Sequence, residues 1–277
     1  MRLILLTALT MIAFAANSVL NRLALTDGTM GASSFAAIRI LSGAVVLVAL
    51  VWLTSRKDQQ KLPFSAVGTL SLALYVLGFS FAYITLDAGV GALLLFGGVQ
   101  VTMFLGALIL REQVPLERWI GAVIAFAGLI YLMWPAGADI PPFSGSLLMA
   151  AAALGWGVYS LAGRGAQAPL NMTAANFLLA VPLGALAFLL VPSQVTFNGT
   201  ILAIISGAIT SGLGYALWYS ILPNLGATRA AVSQLTVPII AVAGGIAFLD
   251  ETLTTRFALA SALVLGGVAL SLIKTGR

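Results

Sequence analysis

Long stretches without a single charge constrain this chain more than any motif in it. Asp, Glu, Lys and Arg are absent from 3–21, 40–55, 62–86, 88–110, 119–138, 140–163, 165–228, 230–249 and 257–273. A hydrocarbon core of about 30 Å is crossed by ~20 apolar residues of helix, and most of these gaps have about that length. The gap at 165–228 is too long for one crossing and contains turn formers at Pro192-Ser193-Gln194 and Asn198-Gly199, so it holds two. The predicted spans run 3–25, 31–54, 64–86, 89–110, 117–134, 144–163, 170–190, 199–222, 226–249 and 256–274. The fold class is an all-α integral membrane protein of ten transmembrane helices with short loops. Composition agrees: 8% of the 277 residues are charged and 61% hydrophobic, against about 25% charged in a soluble domain. A soluble globule, a disordered chain and a disulfide scaffold are excluded, and with neither histidine nor cysteine no metal site of those ligands is expected.

The first sixteen residues resemble a secretory signal, with Arg2, an apolar run and Ala13-Phe14-Ala15. The apolar stretch continues toward Leu25, which favours retention as the first span. Orientation follows from Lys and Arg in short loops. With the N-terminus inside, Arg2, Arg56, Lys57, Lys61, Arg111, Arg118, Arg164, Arg229, Lys274 and Arg277 are cytoplasmic, ten of the 13 basic residues. Arg22, Arg39 and Arg256 fall on the other side, so both termini are expected in the cytoplasm. The net charge of +5 then reports topology rather than a nucleic-acid surface, and no nucleic-acid partner is expected.

The second half repeats the first. Superposing Glu112 on Glu251 brings Gly128 onto Gly267 and Arg118 within one residue of Arg256. Phe14-Ala15-Ala16-Asn17-Ser18 likewise matches Trp156-Gly157-Val158-Tyr159-Ser160, and Arg22 matches Arg164 at the same offset. The repeats are residues 1–136 and 137–277, five spans each. An odd number of spans inverts one unit relative to the other, a common plan of secondary transporters with a site near the midplane.

This arrangement resembles the drug/metabolite transporter superfamily, specifically its EamA-type ten-helix permeases. The segments ending in Glu112 and Glu251, the motif Leu235-Thr236-Val237-Pro238 and the paired Phe14 and Trp156 helices carry the resemblance. It covers essentially the whole chain and implies two inverted five-helix repeats around a central cavity. It further implies a bacterial inner-membrane permease, often an exporter of amino acids or related metabolites. Characterised amino-acid exporters of the family tend to carry an aromatic-proline pair in helix four, where this chain has Gly98-Val99. That departure argues against an aromatic amino acid as substrate.

Polar and aromatic side chains inside the spans mark the candidate pathway, since lipid-facing positions need none. Phe14 and Asn17 lie in span one, and Tyr75, Phe79 and Tyr83 share one face of span three. Gln100 lies in span four, Trp156 and Tyr159 in span six, Tyr215 in span eight and Gln234 in span nine. A mid-membrane amide needs a partner, and Gln100 with Gln234, in related helices of the two halves, form the leading polar pair. Trp52, Trp119 and Trp134 read as an interfacial belt. Pro182 and Pro238 sit inside spans; Pro238 removes the donor for the carbonyl of Gln234 and is the candidate hinge. Arg39 either snorkels outward from span two or serves as a gate or carboxylate site, and Arg229 is a second candidate gate.

No Asp or Glu lies in the middle third of any predicted span. Intramembrane carboxylate or histidine relays are common in proton antiporters; facilitated transport, or coupling through a terminal carboxylate, is expected instead. Gly121, Ala125 and Gly128, then Ala258, Ala262 and Gly266, form small-residue stripes that pack spans five and ten together or support a homodimer. No cofactor and no catalytic residue is expected: candidate nucleophiles lack a His, Cys or carboxylate partner, so the chain does not read as an enzyme. The expected partners are a small-molecule substrate and the lipid bilayer. The leading function is export of an amino acid or related metabolite by alternating access. Export of drugs, organic cations or nucleoside-type metabolites is the alternative, and a non-transport membrane protein the least favoured.

Overall fold

The computed structural model describes residues 1–26, 28, 30–54, 61–112, 114–135, 140–164 and 166–272, apart from the side chains of 226–228. Arg56, Lys57, Lys274, Arg277 and the boundary between the predicted repeats lie outside them. Helices are the only regular elements among these residues, as a bilayer demands of a chain that must satisfy its own backbone groups. They are α1 (Arg2–Thr26), α2 (Ala32–Thr54), α3 (Ala66–Ala82), α4 (Ala88–Ile109), α5 (Leu116–Met133), α6 (Phe143–Ala162) and α7 (Pro169–Leu190). The second half continues with α8 (Phe197–Ile204), a π-helical stretch (Ile205–Leu213), α9 (Gly214–Gln234), α10 (Thr236–Leu249) and α11 (Thr255–Ser271).

By length and composition, 8 of the helical segments among the described residues can cross a membrane, and the apolar Ala66–Ala82 and Thr255–Ser271 are shorter. Together they give the ten helices of a multi-pass membrane protein. The outer surface carries Leu, Ile, Val and Phe, and Trp52, Trp119 and Trp134 are all exposed, as an interfacial belt requires.

Contacts between connections show that successive spans alternate in direction. On one face Gly31, after α1, donates to the carbonyl of Gln194, after α7 (3.0 Å). Arg22 near the end of α1 and Asp87 after α3 approach within 3.7 Å on that same face. On the other, Asn171 of α7 donates to the carbonyl of Lys61, after α2 (3.0 Å).

The helices pack chiefly as α5 on α11, α3 on α6, α2 on α7, α4 on α6 and α1 on α10. Backbones approach closely at α5–α11. A Cβ on Gly267 would stand 2.6 Å from the Ala125 amide nitrogen and the Gly121 carbonyl oxygen, so only glycine fits. This pairing corrects the sequence reading in one respect. Gly121, Ala125 and Gly128 are buried, but Ala258, Ala262 and Gly266 are exposed. The face that α11 presents to α5 is Ala260, Val264 and Gly267, because the helical phase, not the small-residue count alone, selects the seam.

Spans eight and nine fall where the sequence puts them, at Phe197–Leu225 and Arg229–Leu249, but no loop separates them. Helix α9 runs on through Pro223 to Gln234, and the break falls at Leu235. Proline bends a helix without ending it when neighbouring helices hold it. Pro238 then stands in the first turn of α10, where its missing donor is least costly.

Candidate functional site

Phe14 and Trp156, the first residues of the matched segments in the two halves, line one small cavity. Its other walls are Asn17 from α1, Tyr75 and Phe79 from α3, Leu95 and Phe96 from α4, and Tyr215 from α9. Six of the candidate residues therefore converge from four helices. The cavity measures ≈ 20 Å³, room for about one water.

The walls are a continuous aromatic assembly. Phe14 meets Tyr215 and Trp218 edge-on, with ring centroids 5.6 and 5.8 Å apart. Trp156 stacks between Tyr215 (5.2 Å) and Tyr159 (5.3 Å). Tyr159 thus lies one layer behind the wall, its hydroxyl donating to Thr173 (3.1 Å). Tyr75, Phe79 and Tyr83 do share a face: Tyr75 to Phe79 is 5.5 Å and Phe79 to Tyr83 4.7 Å. Offset and edge-on aromatic pairs of this kind contribute about 0.5–1.5 kcal/mol each beyond burial.

Behind the rings runs a polar network that the sequence did not reveal. Asn17 Oδ1 accepts from the hydroxyls of Ser206 (2.8 Å), Thr210 (2.6 Å) and Ser211 (3.3 Å). All three belong to the π-helical stretch, whose wider turn brings Ser206, Thr210 and Ser211 onto one side, and π segments occur disproportionately at functional sites. Gly207 lets this stretch lie against α2; a Cβ there would collide with Ser42 Oγ and the Arg39 carbonyl. The only sequence signal was the cluster of hydroxyls and glycines in 206–212, which has no helical period to betray its role.

Arg39 completes the network and overturns the snorkelling option. It is 0% exposed. Its Nε donates to Ser211 Oγ (3.2 Å) and its Nη2 to Tyr75 Oη (3.1 Å). The guanidinium also lies 4.9 Å from the Phe79 ring centre and 5.4 Å from that of Tyr75. Neighbouring rings and hydroxyls hold it where the shorter path to the surface would have taken it out.

The remaining candidates lie elsewhere. Gln100 faces a separate cleft of ≈ 30 Å³ with Phe104, Arg118 and Gly121, against α5 and α11. Gln234 is half-buried beside the α9–α10 break, and no hydrogen bond joins it to Gln100 among the described residues. The expected amide pair is not formed, because Gln100, one turn beyond the cavity wall at Phe96, turns toward α5 and α11. Arg229 is exposed and outside the aromatic assembly.

A larger cavity of ≈ 210 Å³ opens at one end, lined by Thr85, Asp87, Gly89, Val242, Glu251 and Thr254, among others. Tyr83 connects the two: its ring meets Phe79 of the small cavity's wall, and its hydroxyl donates to the Ala88 carbonyl (3.3 Å) near the mouth. There Glu251 Oε1 accepts the Ala88 N–H (2.6 Å), capping the first turn of α4. Burial foremost, then the charge of Asp87, raises the pKa of Glu251; the N–H groups of Ala88 and Gly89 and the charge of Arg22 oppose the rise. Among the described residues no group of three or more His, Cys, Asp or Glu could hold a metal.

A bundle of apolar spans gathered around a cavity of aromatic and polar side chains suits a membrane transporter. Comparison with known proteins agrees. The EamA-like transporter family model matches residues 1–134 and again 143–273. The chain belongs to the EamA-like transporter family, part of the drug/metabolite transporter superfamily.

It is 45% identical over 273 residues to an uncharacterized protein of Pseudomonas aeruginosa, covering 98% of this chain and 94% of that one. An uncharacterized transporter of Archaeoglobus fulgidus is 24% identical, with 85% and 86% covered. A probable amino-acid metabolite efflux pump of Salmonella typhimurium is 26% identical over 222 residues, 73% of each chain. A crystal structure with 22% identity superposes with a TM-score of 0.67 over 95% of this chain and 98% of that one, a likeness of fold.

Proposed function

We propose that the protein is a secondary transporter that exports an amino acid or related small metabolite across a bacterial inner membrane by alternating access. In this reading 1–136 and 137–277 are inverted five-helix units, both termini are cytoplasmic, and the units rock about the central cavity. The observation that carries it is the convergence of repeat-matched residues: Phe14 and Trp156 line the same cavity. The two separate family matches support the division into units, and the name of the Salmonella relative supports the substrate class. The α9–α10 break at Leu235, beside Pro238, serves as the hinge. Gln234 and Arg229 flank that hinge, and Gln100 acts at the α4–α5 flank rather than in the cavity.

Proteoliposomes loaded with labelled amino acids test the proposal. Efflux above that of empty liposomes is expected, and Trp156→Ala is expected to slow it at least about tenfold, since it removes the ring on which Tyr159 and Tyr215 stack. Protein-dependent flux for no amino acid would count against the reading. An imposed pH gradient separates facilitated flux, which ignores it, from coupling through a terminal carboxylate such as Glu251, which follows it.

A further inference from the structure

We propose that Arg39 is the anchor for a free carboxylate on the transported metabolite. The inference rests on the transporter reading and narrows its substrate class to small organic acids and amino acids, excluding organic cations and uncharged nucleosides.

The guanidinium has five N–H groups in a rigid fork. Nε and Nη2 are each bonded to a neutral hydroxyl, of Ser211 and Tyr75. Nη1 is buried with no hydrogen-bond partner. The pair formed by Nη1 and the second N–H of Nη2 has the spacing of the two oxygens of a carboxylate, which a guanidinium binds in bidentate fashion.

The charge is as informative as the geometry. A guanidinium keeps its proton in proteins, so Arg39 is a full positive charge at 0% exposure. Its partners among the described residues are hydroxyls and ring faces, and none is a carboxylate. The described acidic residues, Asp87, Glu112, Glu117, Asp250 and Glu251, all lie at or beyond span ends. A buried charge that the protein itself leaves uncompensated is costly, and such residues in membrane spans commonly mark a substrate path. An anionic ligand supplies the missing charge.

The position fits. Arg39 stands one layer behind the cavity wall, its charge on the outer faces of the Tyr75 and Phe79 rings that line the cavity. Its other partner, Ser211, donates to Asn17, another wall residue. A swing of the Tyr75 ring exposes Nη1 to the cavity while Nε stays tied to Ser211. Trp156, Phe14 and Tyr215 then face the rest of the ligand, an apolar side chain or, through ring faces, an ammonium group.

The test uses the purified full chain in lipid nanodiscs and two matched sets of probes. One holds aliphatic L-amino acids and their 2-oxo acids; the other holds the corresponding primary amides and decarboxylated amines. Thermal shift and proteoliposome efflux are read on both sets. Ligands from the carboxylate set alone are expected, with Arg39→Lys weakening binding at least about tenfold and Arg39→Met about a hundredfold. Amides or amines that bind as tightly as their acids overturn the assignment while leaving the transporter reading intact. So does a folded Arg39→Met that still binds the acids. If neither set binds or moves, the transporter reading falls and the assignment falls with it. Should Arg39→Met fail to fold, the comparison of acids with amides in the unaltered protein decides alone, and Tyr75→Phe supports the assignment by changing acid affinity more than amide affinity.

Discussion

At the end of the molecule where α4 stops, Arg164 Nη1 reaches Glu112 Oε1 at 2.9 Å. At the opposite end, Glu251 and Arg22, the repeat counterparts of Glu112 and Arg164, do not form that bond with each other. Glu251 instead takes the Ala88 N–H (2.6 Å), and Arg22 donates to the carbonyls of Tyr83 and Ile84 (both 3.0 Å) and approaches Asp87 (3.7 Å). Asp87 has no acidic counterpart in the matched position of the Glu112 end, and it draws the arginine away. The larger cavity of ≈ 210 Å³ lies at this second end. One pair of repeated sequence elements thus makes a surface ion pair at one end and a helix cap beside a cavity at the other. In the proposed alternating-access cycle such unequal ends are expected, since each inverted unit would adopt the partner's arrangement in the opposite state.

The largest effect expected from this difference is at Glu251. Glu251→Ala leaves the Ala88 N–H without its acceptor and removes a link between α10–α11 and α4, a loss of about 1–2 kcal/mol. Thermal unfolding in detergent should show Glu251→Ala clearly below Glu112→Ala. Equal losses for the two variants would erase the distinction between the ends. Gly245→Ala offers a second route: a Cβ there collides with Glu251 Oε2, pushes the carboxylate off the Ala88 N–H and should lower stability while leaving every charged residue in place.

Much of the architecture was legible because a bilayer leaves few choices, and the charge gaps located the spans. The cavity was legible in the same way: Phe14, Asn17, Tyr75, Phe79, Trp156 and Tyr215 are polar or aromatic where lipid rewards neither. What stayed hidden depended on rotation and register. Gln100 had the right chemistry and depth, but one sequence does not say which neighbouring helix it faces. The π-helical register that gathers Ser206, Thr210 and Ser211 onto Asn17 leaves no periodic trace. Arg39 was visible as a charge in an apolar run; its ties to Ser211 and Tyr75 join residues 172 and 36 positions away, which no local pattern reports.

A smaller effect should appear with pH. Because burial raises the pKa of Glu251, the folded protein takes up this proton at a higher pH than the unfolded chain does. The cost of the buried charge is therefore present above the folded value and is relieved as pH falls through it. Acidification from neutrality toward the ordinary carboxylate range should raise the stability of the unaltered protein relative to Glu251→Gln, by no more than about 1 kcal/mol at a half-buried site. Glu251→Gln keeps an oxygen acceptor for Ala88 and carries no charge, so this group's contribution to its profile should be flat. A steeper fall of the unaltered protein than of Glu251→Gln over that interval would mean that the carboxylate is stabilised, not strained, at this end.

The smallest effect belongs to the ion pair at the other end. The side chains of Arg164 and Glu112 are 38% and 39% exposed, so water screens their attraction and their coupling should be about 0.2–1 kcal/mol. A double-mutant cycle with Glu112→Gln and Arg164→Gln measures it, and added salt should shrink it toward zero. If the pair serves only as a weak latch, its loss should change transport rate more than unfolding temperature, because a latch biases the two access states while both remain folded. A coupling above about 2 kcal/mol, insensitive to salt, would instead make this end as firmly built as the Glu251 end. The asymmetry would then lie in Asp87 alone, and Asp87→Asn should let Arg22 turn to Glu251 and restore the matching bond.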